Sequence, residues 1–372
     1  MLTTLNQNSN LISPNSPQVK IPAFKTKNDI DTYIDNIKFL NTEIDFENLF
    51  EDSKNVCLTL FPELKITNIQ LVECKDGITN KLIKFISSAE NRDDIILLIR
   101  TYGKKSEVLI DRHQELVNLV TLSSLNLSAP IYGRFENGIV YGYIPGEVFS
   151  VDDLSDKCKS KLVAKTLAQW HHTELPGVQK KPLLFKTLKK WVSAVPEKYS
   201  NEKVQFQFEE FFDIKLLNKE LSFLEKELSQ YKDATVFSHN DLLSGNIILQ
   251  RKSNSVTFID YEYGCYNYRG FDISNHFNEF AGFDCDYKKY PNLDFQRFWC
   301  REYLLEFLKS EPCDTQVELL MVEVDKFSLS SHFYWCLWAL VQANVSNIDF
   351  DYMTYAKLRL EEYFNRKGEV FN

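Results

Sequence analysis

The sequence predicts an α+β protein of two lobes, a small strand-rich N-terminal one and a large helical C-terminal one. Three observations carry this. Short strand-like runs cluster between residues 66 and 144, long helical periods dominate after Pro145-Gly146, and 372 residues suffice for two domains at ~150 residues each. With 44% hydrophobic residues, material for a core is ample.

Residues 1–20 are Asn, Ser, Pro and Thr with isolated apolar positions, a composition that does not offset its ordering entropy, and a loose tail is expected there. Apolar residues then recur at helical spacing (Ile30, Ile34, Ile37, Leu40, then Phe46, Leu49, Phe50) until Pro62 stops the run. Residues 66–72, 81–86 and 95–100 read as strands, separated by turn-rich pieces at Asp76-Gly77 and 91–94. A helix over 111–125 follows. Strands at 131–135 and 139–144 flank Glu136-Asn137-Gly138, a hairpin signal. The N-terminal lobe is therefore expected over 21–144, with leading helices, then five strands and one helix. The C-terminal lobe, 145–372, carries helical periods over 157–172, 187–195, 206–231, 295–308 and 317–345. One strand pair, 247–250 and 256–259, interrupts them.

Net charge is −9 and the pI about 5.4. Duplex nucleic acid and anionic membrane surfaces both demand a basic face, so neither is an expected partner. The apolar run 333–341 falls far short of the ~20 residues of a membrane span, and no membrane insertion is expected. Eight cysteines stand without a C-x-x-C pair, which reads as free thiols in a reducing compartment. The first nineteen residues lack any charged side chain, unlike a secretory or mitochondrial leader. The expected location is the cytoplasm.

The most informative stretch is Ser238-His239-Asn240-Asp241-Leu242-Leu243-Ser244-Gly245-Asn246, followed by a hairpin that ends in Ile259-Asp260-Tyr261-Glu262. Asp241 and Asn246 stand five apart on a loop, and Asp260 follows the returning strand. Protein kinases space a catalytic Asp, an Asn and a strand-borne Asp in this way. The first receives the proton of the attacking hydroxyl; the other two hold Mg²⁺ on the nucleotide phosphates, because that ion takes hard oxygen ligands. Each residue alone is read as readily as turn or strand capping; the ordered set is not. Lys75-Asp76-Gly77-Ile78-Thr79-Asn80-Lys81 lies between two strands, where a phosphate-covering loop belongs, though with one glycine instead of three. Arg100 ends the apolar strand 95–99, and Glu115 on the next helix is its candidate ion-pair partner. Alone, a strand-terminal Arg is more often a solvated edge charge.

The motif 239–246, joined to Phe258 through Tyr263 and to Tyr266-Asn267-Tyr268-Arg269-Gly270-Phe271-Asp272-Ile273-Ser274-Asn275-His276-Phe277-Asn278-Glu279-Phe280, resembles the choline/ethanolamine kinase family. The resemblance spans roughly residues 65–366 and implies a protein-kinase-like fold and ATP-dependent phosphorylation of an amino alcohol. It implies Asp241 as catalytic base, Asn246 and Asp260 as magnesium ligands, and Glu262 close to the phosphates. Gly77, Thr79, Asn80 and Lys81 fall on its nucleotide loop, and Gly142, Tyr143 and Ile144 on the hinge whose backbone contacts adenine. Asp272 is expected to brace the catalytic loop through backbone amides. Glu279, Trp335 and Trp338 match the pocket for the cationic head group. Family members are often dimers, which carries a homodimer over as an expectation.

The pocket also has a physical argument. Ethanolamine is an ammonium and choline a quaternary ammonium, and either wants aromatic faces and a carboxylate. Trp335 and Trp338 are three apart at helical spacing and share one face, though the same spacing suits a core stripe. Asp241-Leu242-Leu243 and Asn278-Glu279-Phe280-Ala281-Gly282 resemble ethanolamine kinases, whereas Tyr268 to Asp272 resembles choline kinases. Ethanolamine is thus the expected substrate, in the first step of phosphatidylethanolamine synthesis through CDP-ethanolamine. Choline is the alternative. An aminoglycoside-type phosphotransferase and a non-catalytic scaffold fit the second signature and the intact Asp241, Asn246 and Asp260 less well.

Overall fold

A computed structural model describes residues 11–12, 16–66, 68–74, 80–90, 92–103, 106–346 and 348–371. The chain divides into two compact units, one of Met1–Ser106, Arg112–Glu147 and Leu175–Gly177, the other of Glu107–Asp111, Val148–Glu174 and Val178–Asn372.

The first unit is built on a six-stranded sheet. Its strands are β1 (Phe39–Leu40), β2 (Asn68–Cys74), β3 (Asn80–Ala89), β4 (Arg92–Tyr102), β5 (Ile131–Phe135) and β6 (Gly138–Gly142), in the order β1-β5-β6-β4-β3-β2. All neighbours are antiparallel except β1 and β5. Period-2 alternation decides the register. Ile83 opposes Ile99 and Phe85 opposes Leu97, all four fully buried, over a core that takes Val56, Cys57 and Leu60 from the helix α2 (Leu49–Leu60). Helix α1 (Lys27–Asn36) starts at a capping box: Asp29 N–H donates to Thr26 Oγ1 at 3.2 Å and Thr26 N–H to Asp29 Oδ2 at 2.9 Å. Helix α3 (Arg112–Ser124) completes the unit.

Three expectations change here. The apolar run from Ile30 to Phe50 does not make continuous helix, since β1 and a 3₁₀ turn at Phe46–Asn48 separate α1 from α2. β1 is a sixth strand, too short at two residues to show a period. Ile12 and Ser16 are buried, which a loose tail does not predict; residues 1–10 and 13–15 lie outside the described part.

The second unit is helical: α4 (Lys157–His171), α5 (Leu184–Ala194), α6 (Glu202–Phe211), α7 (Ile214–Leu228), α8 (Arg269–Asn278), α9 (Leu293–Leu308), α10 (Asp314–Val345) and α11 (Tyr352–Phe371). Helix α10 runs through the middle, packed by α8, α9, α11 and α5, and is buried on every side from Phe327 to Gln342. The expected helix over 206–231 is two helices. The break falls at Phe212-Asp213, where the extended Asp213 accepts from Lys215 N–H at 2.8 Å and caps α7. Besides the hairpin Ile247–Gln250/Ser255–Phe258, a second antiparallel pair joins Thr235–Ser238 to Cys265–Tyr268. Among the described residues no helix is long and apolar enough to cross a membrane.

Candidate active site

The second strand pair and α8 fix the loop between Ser238 and Ile247. Asp272, in the first turn of α8, accepts from the His239 amide at 2.8 Å through Oδ2 and from the Asn240 amide at 2.7 Å through Oδ1. His171 Nε2 lies 2.9 Å from the same Oδ2, and His171 Nδ1 lies 2.6 Å from the Tyr303 hydroxyl. Burial pushes the Asp272 carboxyl up, but the His171 hydrogen bond and charge, the His239 charge and the Asn240 amide outweigh it and hold it below the usual range. Asp272 thus braces the loop and is itself oriented by His171.

Asn240 follows at φ +65°, as does Asp260 at φ +65°, in the left-handed region that Asn and Asp tolerate better than other side-chain-bearing residues. Asn246 Nδ2 donates to the Asp241 carbonyl at 2.8 Å and to Asp241 Oδ2 at 3.1 Å. The Ile259 amide donates to the Asn246 carbonyl at 3.0 Å, which sets the residue before Asp260 beside Asn246. The hairpin therefore closes the loop, and Asp241, Asn246 and Asp260 come together. Asp241 Oδ1 is buried with no hydrogen-bond partner among the described residues. Burial, reinforced by the negative charges of Asp260, Glu279 and Glu262, pushes the Asp241 carboxyl well above its ordinary range, against the pull of Asn246.

Trp335 and Trp338 on α10 stand edge to face, with ring centroids 5.5 Å apart. Tyr263 packs on Trp335 at 5.6 Å, and Tyr352 and Tyr355 of α11 pack on Trp338 at 5.7 and 6.4 Å. Glu279 is buried, and its Oε1 accepts from Arg359 Nη1 at 3.2 Å. Burial pushes the Glu279 carboxyl up, and Arg359 draws it back. The fully buried Arg359 went unread in the sequence. Its signal was there, an arginine within the apolar period Tyr352, Tyr355, Ala356, Leu360, Tyr363.

In the first unit, Arg100 Nη1 donates to Glu115 Oε1 at 3.0 Å, so the strand and helix form the ion pair, and Arg112 Nη1 holds the other carboxylate oxygen at 2.8 Å. Arg112 also reaches Asn80 Oδ1 at 3.1 Å, and Lys81 pairs with Glu73 at 2.9 Å. Gly142 ends β6, Tyr143 lies under Lys84 Nζ at 4.2 Å, and Ile144 is buried. Gly77 and Thr79 lie outside the described residues.

A loop with Asp and Asn five apart, closed by a hairpin that ends on Asp, and a separate sheet unit that carries a strand-borne Arg paired with a helix Glu define a phosphotransferase of protein-kinase-like fold. Solved structures agree in fold. An ethanolamine kinase from Plasmodium vivax is 28% identical with a TM-score of 0.76, covering 86% of this chain and 89% of that one. A choline kinase from Cryptosporidium parvum is 25% identical with a TM-score of 0.70, covering 86% and 96%. A probable ethanolamine kinase A from Dictyostelium discoideum is 39% identical over 312 residues, 83% of this chain and 88% of that one. The family model described as choline/ethanolamine kinase matches residues 71–364, and the chain belongs to that family.

Proposed function

We propose that this protein transfers the γ-phosphoryl group of ATP to the hydroxyl of ethanolamine, with Asp241 as general base. The observation that carries the reading is Asp241 Oδ1, a buried acceptor without a donor among the described residues, while Asn246 holds the other oxygen. A buried acceptor left unpaired is costly; a substrate hydroxyl satisfies it. The hydroxyl oxygen then attacks the γ-phosphorus, the bond to the ADP oxygen breaks, and the proton ends on Asp241.

Among the described residues no cluster of three or more His, Cys, Asp or Glu is arranged to hold a metal ion. The ion is proposed to come in with the nucleotide. Asp260 would supply a hard carboxylate and Asn246 an amide oxygen, its Nδ2 being turned to Asp241, the ligand types that Mg²⁺ takes. An ion held by these two residues would supply neutralisation of the charge on the transferring phosphate. Arg100, held by Glu115, is the proposed phosphate partner, with Asn80 and Lys81 at the nucleotide loop and Gly142 to Ile144 along adenine.

Glu279 and the tryptophan pair are the proposed ammonium site. Ethanolamine is favoured by Leu242-Leu243, by Ala281-Gly282 after Glu279, and by the names of the Dictyostelium and P. vivax relatives. Choline is the second reading, because Trp335, Trp338, Tyr352 and Tyr355 supply the aromatic surface a quaternary ammonium needs. The kcat/KM for each amino alcohol at saturating ATP separates them: the proposal requires the higher value for ethanolamine, and a higher value for choline overturns it. Action in the cytoplasm and assembly as a homodimer complete the reading; light scattering on the purified chain tests the latter.

A further inference from the structure

The two indole N–H groups make separate hydrogen bonds, and both routes lead to Asn240. Trp335 Nε1 donates to Asn275 Oδ1 at 2.6 Å, and Asn275 Nδ2 donates to the Asn240 carbonyl at 3.1 Å. Trp338 Nε1 donates to the Tyr263 hydroxyl at 2.8 Å, and the Tyr263 carbonyl accepts from Asn240 Nδ2 at 2.8 Å. Asn240 precedes Asp241, and its remaining groups are held too, the amide by Asp272 and Oδ1 by Asn267 Nδ2 at 2.8 Å. A left-handed residue this fully engaged is over-determined by its neighbours. Moving any one of them redirects the side chain that follows.

Asn275 is the middle of the shorter route. It is fully buried in α8, and its Oδ1 also accepts from Ser331 Oγ at 2.8 Å. That hydroxyl in turn accepts from Arg359 Nη2 at 3.2 Å, and Arg359 holds Glu279. The position needs two acceptances on one atom and one donation from another, which an amide supplies and a carboxylate or an alkyl group does not. Asparagine is a poor helix-interior residue, so packing alone does not explain it there.

We propose that Asn275 is a positioning residue that couples the aromatic wall of the amino-alcohol pocket to the backbone of the catalytic loop. A head group seated against Trp335 and the aim of Asp241 are then set together through one amide. The proposal rests on reading Trp335 as a pocket wall, as above.

The test is a double-mutant cycle on the full-length enzyme, reading kcat, both KM values and melting temperature. Asn275→Asp keeps both acceptances and loses the donation to Asn240; kcat should fall ~10²-fold, as for a small misplacement of a reacting group. The KM values for ethanolamine and ATP should stay within about threefold, since the contacts on the pocket side remain. Trp335→Phe keeps an aromatic face but loses the N–H together with the second ring, so its melting temperature is read beside kcat. It should lower kcat alone and add nothing in the Asn275→Asp background, as for two residues acting through one chain. Additive effects overturn the proposal, as does a lower melting temperature with unchanged kcat. If Asn275→Asp does not fold, Trp335→Phe decides by itself, and an unaltered kcat there overturns the coupling. Failure of the pocket reading looks different: Trp338→Ala would leave the amino-alcohol KM where it was, whatever the cycle shows.

Discussion

Asp241 has one oxygen held and one turned to no partner among the described residues, and its neighbours Asp260, Glu262 and Glu279 all disfavour its charge. Replacing it by Asn keeps the shape and removes the base. We expect Asp241→Asn to lower kcat ~10²–10⁴-fold while ATP still binds, as measured by calorimetric titration beside steady-state kinetics. At the proposed head-group site the expected effects separate two roles. Trp338→Ala removes a cation–π contact worth ~0.5–2 kcal/mol, so the amino-alcohol KM should rise while the ATP KM holds. A Trp338 that only packed would show in melting temperature alone, through the ~3–5 kcal/mol cost of truncating a buried Trp. Glu279→Gln should weaken ethanolamine more than choline, because only a primary ammonium also loses a charge-assisted hydrogen bond. Equal losses for both substrates would remove that hydrogen bond. The grouping of Asp241, Asn246 and Asp260 was readable in sequence because they lie on one loop and hairpin, with short spacing. The Glu279–Arg359 pair was not, since only the packing of α11 against α10 brings the arginine there.

Helix α8 carries the positioning groups, Asp272 and Asn275, and its distance from α10 is fixed by a glycine. A Cβ on Gly270 would meet Phe327 Cδ2 at 2.7 Å and Glu323 Cγ at 2.8 Å. Gly270→Ala should therefore cost ~1–3 kcal/mol by overpacking, read by urea denaturation; an unchanged midpoint would mean the helices give way freely. Long amphipathic helices such as α4 and α9 were legible from period alone. The strands Thr235–Ser238 and Cys265–Tyr268 were not. They are four residues each and buried on nearly every side, so they show no alternation to mark them as strands. The break at Asp213 was missed for another reason: an N-cap Asp inside an apolar run looks like one more exposed polar position until its hydrogen bond is seen.

Across the whole molecule, burial disfavours the charged form of several histidines. His276 is fully buried with Nδ1 2.9 Å from the Leu242 carbonyl, and burial pushes it down to about 4 against the pull of that bond. An unfolded His titrates near ~6.5. Between those values the unfolded chain binds a proton that the folded chain refuses, so this contribution is complete above ~6.5 and is lost as the pH falls toward the folded value. The stability advantage of wild type over His276→Asn should therefore be smaller at about pH 5 than at about pH 7, measured by denaturant titration. An equal difference at both would contradict it. The most direct test of the central claim follows the phosphoryl group itself. Incubated with γ-labelled ATP, Mg²⁺ and ethanolamine, the wild-type chain is expected to yield labelled phosphoethanolamine, and Asp241→Asn, at matched ATP occupancy, almost none. Equal labelling by both, or no labelled amino alcohol from the wild type, would contradict the account.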